Sequence, residues 1–136
     1  MKFSKLLFIS ASVLAIMSCQ KSGPKDIAVG KDQCDNCRMT ITDVKYATQL
    51  ITDKGRTYKF DDLSCMTMYE SSNPEKATNA KTYVVDFPSG QFLEKSRATF
   101  IKGGSIKSPM GGNTQAFRDK AAAQKAAAAT GATLTK

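Results

Sequence analysis

Residues 43–70 read DVKYATQLITDKGRTYKFDDLSCMTMYE, and a change of rhythm inside this stretch decides the fold. From Asp43 to Thr52 the run is rich in β-formers and carries neither glycine nor proline. Asp53-Lys54-Gly55 is a turn signal, and Arg56 to Phe60 resumes the extended pattern. A β-hairpin is expected, with Tyr58 and Phe60 on one face of its second strand and Thr57 and Lys59 on the other. Asp61 or Asp62 can then cap a helix running to about Glu70. A short carboxylate just ahead of an apolar pattern (Leu63, Met66, Tyr69) accepts from the first free helical N–H groups. SSNPE, residues 71–75, ends that helix.

Toward the C-terminus the same rhythm recurs loosely. TYVVDF (82–87) reads as a strand, PSGQF as a turn into a further extended piece, and RATFIKG (97–103) as another strand. A loop dense in glycine and proline follows, GGSIKSPMGGNT. TQAFRDKAAAQKAAAAT (114–130) is a helix by composition, with Phe117 and Ala121 as inward candidates and Gly131 in the position a helix C-terminus favours. The expected architecture is α+β, two tandem small ββα-type lobes at about 33–75 and 80–133.

Upstream, MKFSKLLFISASVLAIMSC places Lys2 and Lys5 before an apolar run from Leu6 to Met17, with Ser18 directly before Cys19. This is the layout of a secretory signal peptide over residues 1–18, too short for a membrane span. Its IMSC end resembles a bacterial lipobox, which makes Cys19 the expected lipid-attachment residue and the cell envelope, on the periplasmic side of a bacterial membrane, the expected location. Residues 19–32, polar and punctuated by Gly23, Pro24 and Gly30, read as a flexible tether. Removing the signal leaves 18 basic and 12 acidic side chains. They are scattered singly with no aromatic-interleaved patch, so nucleic acid is not an expected partner.

The chemistry lies in sulfur. CDNCRMTI (34–41) sets two thiols three positions apart with a thioether two residues on, in a chain of 136 residues without histidine. With Cys19 assigned to lipid, Cys34, Cys37 and Cys65 remain. An odd number outside the cytoplasm leaves at least one free, intermolecular or metal-bound. Structural zinc on three thiols would need a carboxylate such as Asp61 to complete four ligands, an unusual set. A thiol–disulfide oxidoreductase would place its CxxC at a helix N-terminus, whereas a strand follows here. Soft thiolates and thioethers without imidazole select Cu(I), and Met39, Met66 and Met110 could join the cysteines. Met66 and Met68 are equally credible as core filler, while Met110, in SPMGG on a loop, is harder to explain by packing.

Four motifs in order, CDNCRMTITDVKYATQL, GRTYKFDDLSCM, YVVDF and SPMGGNTQAF, together resemble the NosL family, from about Cys34 to Gly131. The resemblance implies a non-enzymatic, lipid-anchored copper chaperone of two similar ββα-type lobes. It also implies delivery of Cu(I) toward the copper centres of nitrous oxide reductase, through an ABC-type membrane complex. By position it implies Cys34, Cys37 and Met39 as the CxxCxM ligands, Cys65 with Met66 on the helix, and Met110 on the loop. Many members read CxxCGM; here Arg38 stands at that glycine.

Overall fold

The structure, a computed structural model, describes residues 23–135; the expected signal peptide, Cys19 and the start of the tether lie outside the described residues. Among the described residues no helix is long and apolar enough to cross a membrane. The elements in chain order are β1 (Thr48–Ile51), β2 (Thr57–Phe60), α1 (Leu63–Ser72), α2 (Pro74–Ala77), β3 (Lys81–Val85), β4 (Phe92–Glu94), β5 (Thr99–Lys102), β6 (Thr114–Phe117), α3 (Lys120–Thr130) and β7 (Thr133–Thr135).

The hairpin forms, with Thr48 opposite Phe60 and Ile51 opposite Thr57. Its first strand starts later than the β-former run suggests. The Asp43 side chain accepts from Lys45 N at 2.9 Å and holds Val44–Tyr46 in a 3-10 turn, since a short carboxylate offers the backbone a local alternative to a ladder. Tyr58 and Phe60 point inward as expected and pack on Tyr69 of α1, with ring centroids 4.9 and 5.2 Å away. Of the two candidate caps the structure uses Asp62, whose side chain accepts from Ser64 N.

The strand pairing redraws the expected lobes. β3, read as the opening of the second lobe, pairs antiparallel with β1, Thr48 opposite Val84. The first sheet therefore runs β2-β1-β3-β4 and the second β6-β5-β7, and the division between sheets falls after β4. The helix expected from residue 114 is corrected too. Thr114–Phe117 is strand β6 against β5, and α3 begins only at Lys120, where Asp119 accepts from Ala121 N and Ala122 N. Phe117 is buried, but from a strand. Ala121 is exposed, and Ala123 and Ala127, one helical repeat apart, face inward. Gly131 closes α3 in the left-handed conformation expected of it, and the chain then adds β7 to β5.

Three buried clusters hold the body together. One joins Leu50, Tyr58, Phe60, Met66 and Tyr69 with Cys34 and Cys65. A second lies under α3, and a third, Val84, Leu93, Phe100 and Ala116, spans both sheets. The expected tether is likewise shorter than its composition suggests. Gln49, fully buried, accepts from Lys25 N and donates back to Lys25 O. Lys59 Nζ donates to Asp26 O and pairs with Asp32 at 2.6 Å. Residues 25–32 are thus bonded along the first sheet.

Candidate metal centre

The CxxC forms a tight knuckle. Cys34 N donates to Met39 O at 2.8 Å and Arg38 N to Cys34 O at 2.9 Å, while Gln33 bridges Thr40. Two backbone N–H groups are aimed at sulfur, Cys37 N at Cys34 Sγ (3.5 Å) and Met39 N at the Cys37 thiol. Arg38 takes φ +66° to make this possible. That left-handed residue breaks the extended run expected over 37–41. Cys37 turns inward, whereas Met39 is 59% exposed instead of sharing a strand face with it. A reciprocal pair of bonds, Asp35 N to Lys59 O and Lys59 N to Asp35 Oδ2, pins the knuckle to β2.

From β2 the chain runs through Phe60 and Asp61 to the Asp62 cap and into α1, whose third residue is Cys65. This short path places Cys65 against the knuckle. The sulfurs of Cys34, Cys37 and Cys65 and a carboxylate oxygen of Asp61 all lie within 4.8 Å of one another. Sulfurs bound to one ion at 2.3 Å stand about 4 Å apart, so only a small contraction closes the group on a metal. All three thiols are free.

One oxygen of the group is left without a donor. Asp61 is 2% exposed; its Oδ2 accepts from Cys37 Sγ at 3.5 Å, and its Oδ1 is buried with no partner. A buried carboxylate oxygen without a donor is costly unless a positive charge meets it. Burial is the main force raising the Cys37 thiol above its ordinary value, with Cys34 and Asp61 adding to it against the Met39 N–H. Burial and the neighbouring Cys34 and Asp61 charges push Cys65 up as well. Cys37 and Cys65 therefore keep their protons until a thiophilic ion displaces them.

The structure brings Cys34, Cys37 and Cys65 together and adds Asp61, which the sequence offered as a helix cap and as a fourth ligand for structural zinc. The thioethers stand apart from this group in character. Met66 is fully buried among Leu50, Phe60 and Tyr69, a packing position; Met39 and Met110 are 59% and 39% exposed. The Met110 loop is nevertheless bonded to the residue after Asp61, the Met110 N–H donating to Asp62 Oδ2 at 3.0 Å. Asp62 was legible only as a cap. The signal for its second role was the doubled acid in FDDLSCM, one more than a cap requires.

Two small antiparallel sheets with three thiols and a buried carboxylate gathered between knuckle, strand and helix define a protein with a sulfur-rich candidate metal site. The chain belongs to the NosL family, whose model matches residues 26–136. Its fold is similar to that in the crystal structure of the copper chaperone NosL from Shewanella denitrificans, with a TM-score of 0.73 at 21% identity, over 85% of this chain and 92% of that one. No curated protein matches it.

Proposed function

We propose that the chain is a copper chaperone of the cell envelope, not an enzyme, which carries Cu(I) as cargo and delivers it to the ABC-type maturation complex serving the copper centres of nitrous oxide reductase. A lipid on Cys19 would hold it to a bacterial membrane, facing the periplasm. The observation that carries the copper reading is the set of three free thiols gathered with the Asp61 carboxylate, whose Oδ1 is buried without a partner, in a chain without histidine. Cys34, Cys37 and Cys65 supply the thiolates that favour a soft monovalent ion. Met110, on a loop fastened to Asp62, supplies a thioether that oxidation to a disulfide cannot remove. Met39 is exposed enough to meet the ion on its way in or out, and Met66 is the least suited of the proposed ligands.

The exchange reading is weakened by the same geometry. A disulfide-exchange thiol needs a lowered pKa, and Cys37 is raised. Zinc has one observation in its favour, since a carboxylate beside three thiolates makes a four-donor set that a divalent ion accepts. Anaerobic titration with Cu(I) against a chromophoric chelator, for the wild type, Cys37→Ser and Met110→Leu, tests the ligands; unchanged affinity in both variants would remove them. Metal analysis of anaerobically purified protein separates copper from zinc. Delivery predicts a reductase poor in copper in cells lacking this protein. Acyl labelling blocked by globomycin tests Cys19.

A further inference from the structure

The loop between β5 and β6, residues 103–113, belongs to the second sheet yet is fastened to the helix of the first. The fastener is Asp62, 1% exposed, whose two oxygens have separate partners. Oδ1 caps α1, accepting from Ser64 N at 2.9 Å and Ser64 Oγ at 3.0 Å. Oδ2 serves the loop, accepting from Ser108 Oγ at 2.5 Å, Met110 N at 3.0 Å and Gly112 N at 3.4 Å. The loop is closed on itself behind these bonds. Asn113 N donates to Ser108 Oγ at 2.7 Å, and Ser108 N to Asn113 Oδ1 at 3.1 Å. Gly112 comes so near that a Cβ there would overlap Asp62 Oδ1 and crowd Ser64. A helix cap alone requires none of this.

One peptide bond separates Asp62 from Asp61, the carboxylate of the thiol group. The loop's anchor and the metal group therefore share a rigid piece of backbone at the start of α1. We infer that Asp62 is a positioning residue that holds the Met110 thioether beside the three thiols. The inference deepens the copper reading and rests on it. Unfastened, a glycine-rich loop would let Met110 wander and each binding event would have to order it again, whereas the clamp does this ordering during folding. Met110 stays partly exposed, within reach of an incoming or departing partner.

Two variants break the clamp differently. Asp62→Ser keeps a good N-cap acceptor but cannot reach the loop donors. Gly112→Ala leaves Asp62 intact and forces the loop off it. Circular dichroism checks that each keeps α1. Each is expected to weaken Cu(I) binding about tenfold, as loss of groups that orient metal ligands does. The loss should equal that of Met110→Leu, and adding Met110→Leu to either should cost nothing further. With methyl-labelled methionine in the metal-free protein, the Met110 resonance should sharpen and move toward its unstructured position in both variants while that of Met66 stays put. Wild-type affinity in Asp62→Ser or Gly112→Ala, with Met110→Leu impaired, would overturn the positioning role, as would losses that multiply in the double variants. Wild-type affinity in Met110→Leu would remove Met110 as a ligand and this inference with it.

Discussion

At the scale of single residues, Arg38 shows how the knuckle is made. Its φ of +66° costs an L side chain on the order of 1 kcal/mol, and it is held there by the bonds on either side, Arg38 N to Cys34 O and Cys34 N to Met39 O. Arg38→Gly should therefore raise the stability of the metal-free protein by about 1 kcal/mol, read as a higher urea midpoint under anaerobic conditions at unchanged m. Cys65→Ser is nearly isosteric but removes one of three thiolates from a buried group. Its Cu(I) affinity should fall by at least about tenfold in the chelator competition. The three cysteines were legible as soft ligands from the CxxC spacing and the lack of histidine. The directions of their neighbours were not. A single left-handed residue turns Met39 away from Cys37, and no spacing rule for a strand anticipates it.

Elements were readable where the side-chain period met a matching stop signal. The first hairpin carried both alternation and Asp-Lys-Gly, and it formed with Tyr58 and Phe60 on the inward face. The alanine-rich helix carried composition but hid its start, because Thr114–Phe117 are equally good in a strand and the capping residue, Asp119, lies inside the helical-looking run. Asp119→Ala should cost about 1 kcal/mol, the usual worth of an N-cap, seen as a lower thermal midpoint. Long-range pairing was the least legible feature. β3 joins β1 across the whole of α1 and α2, and nothing local to residues 81–85 says which hairpin they will complete.

At the scale of the whole molecule, Asp86 ties the two sheets. It ends β3 and is buried, accepting from Ser89 Oγ and from Arg118 N just ahead of α3, while Phe87 N donates to Ala116 O of β6. Burial pushes its carboxyl up, but the Ser89 and Arg118 bonds outweigh this and hold it below the ordinary 3.8. A carboxyl lowered in the folded state contributes stability that is fully present above its unfolded value and is lost as the pH falls through the folded one. Urea midpoints should accordingly drop as the pH falls below about 4, and Asp86→Asn should flatten this acid limb while lowering stability at pH 7 by about 1 kcal/mol. A steeply falling acid limb in Asp86→Asn, unchanged from wild type, would assign the effect elsewhere.

The bonds that fasten residues 25–32 along the first sheet carry a consequence for reach. Five residues lie between Cys19 and the Lys25–Gln49 clasp, so a chain acylated at Cys19 would hang within about 20 Å of the bilayer. Gly23 lies by the Asp53–Gly55 turn, the end of the hairpin away from Asp61. Hung from that end, the body would turn its thiol group away from the bilayer toward whatever docks, and could not rise far above the surface to meet it. Any protein that docks there would have to offer its matching face close to the membrane surface.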